Sequence, residues 1–282
     1  MRSFSERMKR RIMSKISEYK SAITEYISVH DYSGLKEFLK SNSNLPGPRG
    51  NLEMAFAFGD CFDTETVTDG MWEFLLELSG IGVREAPVGD PSEILPFCAV
   101  LAAGSYYAQA GEERKAHVRV ILRAAMNDGR WRMREAAAMG YQRMAEKDIE
   151  AVTMIFDAVY PGSNFLEKRA VIAALAHPPL LKDKSTALYS LAISEDIMNG
   201  ICELTADELK SDEFKVLSKG LEYALSVFTA HAPEEGFYML ARFAAIPHKD
   251  IRRIIKSNLG KARLKDKFAE QADEVLSILN SR

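Results

Sequence analysis

The chain has 282 residues, 47% of them hydrophobic and 27% charged, and a formal net charge of -3. That balance belongs to an ordinary folded protein, either two domains or one elongated array. It argues against a chain wrapped wholesale around nucleic acid, while leaving room for a local basic face.

Three cysteines, Cys61, Cys98 and Cys202, lie far apart within apolar helical patterns. Neither their number nor their spacing suits a disulfide framework, a metal site or a redox pair, so buried thiols in a reducing, cytoplasmic compartment are expected. Arg2, Arg7, Lys9, Arg10 and Arg11 make the first residues basic, but no signal-peptide core follows them, and Glu6 and Glu18 count against a transit peptide. The longest uncharged run, Ile94 to Gly111, is broken by Pro96, Gly104, Ser105 and Gln109. It reads as a buried core helix rather than a membrane span.

Ser3-Phe-Ser-Glu6 has the form of a capping box and predicts a helix to about Val29, with Met8, Ile12, Ile16, Ile23 and Ile27 as its apolar stripe. A short helix comes next at 35–39. The segment from Asn42 to Gly50, with Pro46, Gly47 and Pro48, is the strongest break in the chain. Helices at 51–62 and 66–78 complete an N-terminal helical region, 1–80, expected to cap the helices after it. Residues 81–91 read as a linker, because proline and glycine punctuate them. The remainder, 92–282, predicts helices at about 92–109, 112–126, 131–145, 148–159, 164–176, 182–203, 211–230, 234–245, 249–259 and 264–280. No segment alternates with period two between turns, so no sheet is expected, and short connections make sequential helices antiparallel neighbours.

One pattern recurs. Asp128-Gly-Arg-Trp-Arg-Met-Arg-Glu-Ala-Ala-Ala-Met-Gly140 is a turn followed by a helix with small and apolar residues on one face. Weaker versions return from Ser163 to Leu175 and from Pro247 to Asn258. Arg134 and Arg169 are 35 residues apart, and Arg169 and Arg252 are 83 apart, about twice the period of a two-helix unit. A single helix pair does not bury its own apolar face, so stacked pairs are the expected solution.

On these motifs the chain resembles HEAT-like repeat proteins over residues 112–280, and is distantly similar to the DNA alkylation repair class of alkylpurine DNA glycosylases. The resemblance implies an all-α fold: a right-handed α-solenoid of antiparallel helix pairs, essentially one continuous domain. It also implies a concave face that holds a macromolecular partner, protein or nucleic acid. The glycosylases carry a Trp-Trp-Asp-x-Val-Asp segment that supplies an aromatic platform and a carboxylate. This chain has no adjacent tryptophans, and Trp72-Glu73 does not reproduce that spacing. The expectation is therefore a non-enzymatic scaffold. The alternative is a glycosylase-like enzyme, or a non-catalytic DNA-binding relative.

The same stretches supply the candidate residues. Arg134, Arg169 and Arg252 hold equivalent helix positions. Either they bond to the preceding turn or a neighbouring repeat, or they form a ladder of guanidinium groups suited to phosphates and carboxylates. Arg253, with Arg130, Arg132, Lys249 and Lys256, would extend such a face. Trp131, between two arginines, either staples the turn or stacks on a ligand. Arg49 sits at the tip of Pro46–Asn51. There it either joins backbone N–H groups of Gly50, Asn51 and Leu52 around an anion, or marks a rigid corner capped by Gly50 or Asn51. Glu135, near Trp131, is the one carboxylate to test for the glycosylase reading. The five histidines are dispersed, and no nucleotide-binding or hydrolase motif is present, so neither metal nor cofactor is expected. No membrane partner is expected either.

Overall fold

The computed structural model describes residues 4–281, with side chains from Arg11 onward. Among these residues every regular element is helical: fifteen α-helices and five short 3-10 turns, without a strand. No helix among them is long and apolar enough to cross a membrane. The capping box expected at Ser3–Glu6 and the basic side chains before Arg11 lie outside the described residues. The chain forms two compact units, 1–148 and 149–282.

The first unit contains α1 (Phe4–Ser28), α2 (Tyr32–Ser41), α3 (Leu52–Asp60), α4 (Asp69–Ser79), α5 (Ile94–Tyr106), α6 (Glu112–Met126) and α7 (Trp131–Ala145). Its axis is α5, the uncharged run, in which every residue is buried. The most extensive contacts join alternate helices: α1 to α3, α3 to α5, and α5 to α7. The last pair meets backbone to backbone. A Cβ on Gly104 would lie 2.2 Å from the Gly140 carbonyl oxygen, and one on Gly140 would lie 3.0 Å from the Val100 oxygen. Only glycine permits that approach. It sets the register of α7 along α5, and the starts of these two helices carry the candidate site.

Residues 81–91 differ from the expected linker. They lie inside the first unit, and the division between units falls at 148/149 instead. Ala86 is fully buried, and its carbonyl accepts from Arg130 Nη1 at 3.2 Å. The Ile81 carbonyl accepts from Arg130 Nη2 at 3.2 Å. Buried carbonyls need donors, and this guanidinium supplies them to an irregular segment that has no helical ladder. Gly89, at φ +82°, turns the chain so that its N–H donates to Glu93 Oε2 at 2.8 Å.

The second unit contains α8 (Ile149–Val159), α9 (Phe165–Leu175), α10 (Lys184–Ile201), α11 (Asp212–His231), α12 (Pro233–Ala244), α13 (Lys249–Leu259), α14 (Ala262–Lys265) and α15 (Ala269–Asn280). Here α11 is central and packs on α9, α10, α12, α13 and α14. Asn258, fully buried, ties α13 to it. Its Oδ1 accepts from Ser226 N at 2.7 Å, and its Nδ2 donates to the Leu221 and Ile254 carbonyls at 2.8 Å each. The single helix expected over 264–280 is two. Phe268 leaves helical geometry (φ -134°, ψ 46°) and sets its ring 5.8 Å from Phe237, so aromatic packing overrides the local helical period. The thiols also differ from expectation: Cys98 is buried, but Cys61 is half-buried and Cys202 exposed, and all three are free.

Candidate functional site

Trp131, Glu135 and Met139 recur every four residues on α7 and so share a face. They form one wall of a cavity of about 260 Å³ in the first unit. Leu45, Pro48, Arg49, Gly50 and Leu52 of the proline-rich corner form a second wall, and Glu93, Ile94 and Phe97 at the start of α5 close the floor. The lining is mostly apolar with a few convergent polar groups, the usual constitution of a ligand pocket. Four side chains singled out in the sequence, Arg49, Trp131, Arg132 and Glu135, thus meet in one place.

The corner is rigid. Asn51 is buried and caps α3 through Oδ1 to Met54 N at 3.1 Å, while its Nδ2 donates to Tyr19 Oη and to the Asn42 carbonyl. Its own N–H donates to the Ser43 carbonyl at 2.9 Å. Of the three N–H groups expected to face an anion, that of Asn51 therefore already has a backbone acceptor. The left-handed backbone falls at Asn44 (φ 60°) rather than at the glycines. Gly47 is needed for another reason: a Cβ there would lie 2.5 Å from the Asn44 carbonyl oxygen. Arg49 is exposed at the corner and makes no hydrogen bond or ion pair with another described residue.

Beneath the corner lies a buried ion pair. Glu93 is 0% and Arg132 7% exposed, with Nη1 donating to Glu93 Oε2 at 2.9 Å. Arg132 Nη2 donates to the Gly47 carbonyl at 2.7 Å, so the same guanidinium holds the corner. Glu93 Oε1 and Arg132 Nε are buried without a hydrogen-bond partner among the described residues. The Arg132 guanidinium carbon lies 4.4 Å from the ring centre of Trp131, which remains 44% exposed. An indole seated on a cation and open to solvent offers a stacking surface.

The other arginines are engaged within their own units. Arg134 Nη1 donates to the Asp128 and Gly129 carbonyls at 2.7 and 3.1 Å, closing the turn before α7. Arg130 and Arg132, expected on a solvent-facing basic surface, are buried instead: one serves the 81–91 carbonyls, the other pairs with Glu93. Burial pushes the Asp128 carboxyl up, but hydrogen bonds and charge from Arg130, with the charge of Arg134, outweigh it and hold the group below the ordinary carboxylate range. In the second unit the stem of Arg169 lies against α11, close enough that a Cβ on Gly220 would be 3.2 Å from it. Arg252 donates to the Leu279 carbonyl. Arg253 is committed to Glu222, Ser218 and Asp250 at 2.9, 2.9 and 2.7 Å. Arg252 and Arg253 line, with Lys256, a separate depression of about 490 Å³ between α13 and α15.

Sequence reasoning overlooked Glu93 as a site residue. The available signal was a carboxylate at the threshold of an 18-residue run without charge, where it was bound to be buried and so to need a partner. Among the described residues no group of three or more histidine, cysteine or acidic side chains is placed to hold a metal ion. No protein-family model, curated protein or solved structure matches the chain.

Proposed function

We propose that the protein is a non-enzymatic, HEAT-like helical-repeat scaffold that binds a macromolecular partner, and that the partner engages the first unit at the Arg49–Trp131–Glu135 cavity. The observation that carries the reading is the convergence of an unengaged cation, a half-exposed indole and a carboxylate on one mostly apolar recess. Stacking between alternate helices in each unit supports the repeat architecture, as does the recurrence of the turn-arginine pattern. Hot spots of binding surfaces are characteristically tryptophan and arginine set in such recesses.

The test is binding of labelled single-stranded and duplex DNA at two salt concentrations, beside affinity capture of protein partners, with the parent and with a joint Arg49→Ala, Trp131→Ala variant. A nucleic-acid partner is expected to weaken steeply with salt through counterion release, whereas an apolar protein contact holds. Either partner must lose affinity in the variant. Retention of full affinity there overturns the site.

A second reading, a glycosylase-like enzyme or DNA-binding relative, is favoured by one observation: Glu135 lies one helical turn from Trp131 in the same cavity. A carboxylate there would stabilise a cationic sugar as the base departs. Release of methylated bases from duplex DNA, abolished in Glu135→Gln, would replace the scaffold reading by this one. Release that continues unchanged in Glu135→Gln removes the residue from that role.

A further inference from the structure

We infer that the second unit docks a cationic amphipathic helix of a protein partner in the groove between α10 and α12, a surface separate from the cavity of the first unit. Leu188, Leu191, Ala192 and Glu195 of α10 recur at three- and four-residue spacing and so share a face. With Glu234, Glu235, Tyr238 and Met239 of α12 they line a depression of about 380 Å³. Its apolar surface is open to solvent: Tyr238 is 68% and Leu188 37% exposed, and Ala192 is exposed as well.

The charge of the groove has one sign. Three carboxylates line it and no cation does. Glu195 pairs with Arg242 and Glu235 with Lys184, but those cations are 50% and 66% exposed, so an incoming charge competes readily for the same carboxylates. Glu234 makes no hydrogen bond or ion pair with another described residue. On the other side of α10, Asp157 of α8 accepts from Tyr189 Oη at 2.8 Å, and Asp196 accepts from Tyr160 Oη at 2.6 Å. Along α8, α10 and α12 six carboxylates stand against two cations, whereas α13 has four cations to one carboxylate. Such a surface repels a nucleic-acid backbone and attracts lysine and arginine.

The occupant follows from shape and charge together. The strip from Leu188 to Glu195 is about 10 Å long, which matches two turns of a docked helix. Apolar residues one turn apart on that helix would seat against Leu188, Leu191, Ala192 and Met239, as in other helix-in-groove complexes. Flanking lysines or arginines would meet Glu195, Glu234 and Glu235. A wholly apolar helix leaves these carboxylates without counter-charge, and a wholly basic segment leaves the apolar floor uncovered.

The probe is a fluorescently labelled peptide of leucine and lysine in helical register, titrated with the full chain and followed by anisotropy. It is compared with a peptide of the same register carrying glutamate for lysine, and with oligolysine of equal charge. The leucine–lysine peptide is expected to bind at micromolar concentration, and each control at least about tenfold more weakly. Ala192→Trp fills the groove from an exposed position, and Glu234→Lys reverses one of its charges. Each is expected to weaken binding at least about tenfold, with the far-ultraviolet circular dichroism of the parent retained. Equal binding of either control, full affinity in Ala192→Trp, or no binding of the leucine–lysine peptide at millimolar concentration overturns the inference. The joint Arg49→Ala, Trp131→Ala variant is expected to bind the peptide as the parent does. Loss there would move the peptide to the first unit, overturning this groove while leaving the cavity in place.

Discussion

Two arginine–glutamate pairs in this protein share their chemistry and differ in everything around them. Arg253 and Glu222 join α13 to α11 in the second unit, with the arginine 44% and the glutamate 11% exposed. That guanidinium has a further hydroxyl and a further carboxylate within reach, and the glutamate also takes Lys219. The side chains of Arg132 and Glu93 in the first unit are 8% and 0% exposed, with one donor and one acceptor unmet. The first arrangement is a fully bonded strut. The second holds a corner and a helix start together, buried and incompletely bonded.

The comparison is broken most severely by removing one partner of the buried pair. Glu93→Ala leaves Arg132 uncompensated in the interior and is expected to cost about 3–5 kcal/mol in urea unfolding. Glu222→Ala, where Arg253 retains Asp250 and solvent, is expected to cost about 1 kcal/mol or less. Equal losses would show that burial does not separate the two pairs.

The frames that hold the pairs sharpen the comparison next. Gly104→Val drives a side chain into the Gly140 backbone and is expected to destabilise the first unit by about 3 kcal/mol. Asn258→Ala strips the Ser226 N–H of its buried acceptor and is expected to cost the second unit about 2 kcal/mol. Both are read by denaturant midpoints, and a Gly104 variant as stable as the parent would contradict the backbone contact between α5 and α7.

Asp128 gives a smaller, pH-dependent effect. Its folded-state pKa lies below the ordinary value near 4, so its stabilisation is complete above that value and fades as pH falls through the lower, folded one. Asp128→Asn is therefore expected to be less stable than the parent at pH 7, with the gap closing as pH drops below about 4. A gap that widens on acidification would contradict the sign.

What was legible in the sequence divides along the same line between local and distant causes. The bounds expected for α6, α7 and α13 coincide with those observed, because turn residues flank each pattern. The bond from Arg134 to its preceding turn is six residues long and was within reach of local reasoning. The break between α14 and α15 was not, since a helical period runs through Asp266 and Phe268, and the Phe237 ring that Phe268 meets is distant in the chain. Arg130 is a similar case: its carbonyl partners are 44 and 49 residues away, so a segment that reads as a linker is anchored. Glu93 meets Arg132 across 39 residues, and nothing near either residue announces the other. Trp131 was ambiguous at a helix start, and its exposure depends on what the corner at 46–50 leaves uncovered.

A residue proposed to bind the partner is expected to have only a modest structural effect. Trp131→Ala removes a half-exposed ring seated on Arg132 and is expected to cost about 1 kcal/mol.

The most direct measurement is acrylamide quenching of tryptophan fluorescence, before and after saturation with whichever macromolecular partner is captured. Trp72 is buried and Trp131 is 44% exposed, so nearly all the quenching of the free protein reports Trp131. A partner seated on the cavity must shield that indole and bring quenching down towards the level of Trp72 alone. Quenching that stays at the free-protein level under saturating partner would mean that the partner binds elsewhere, and the cavity would lose its assigned role.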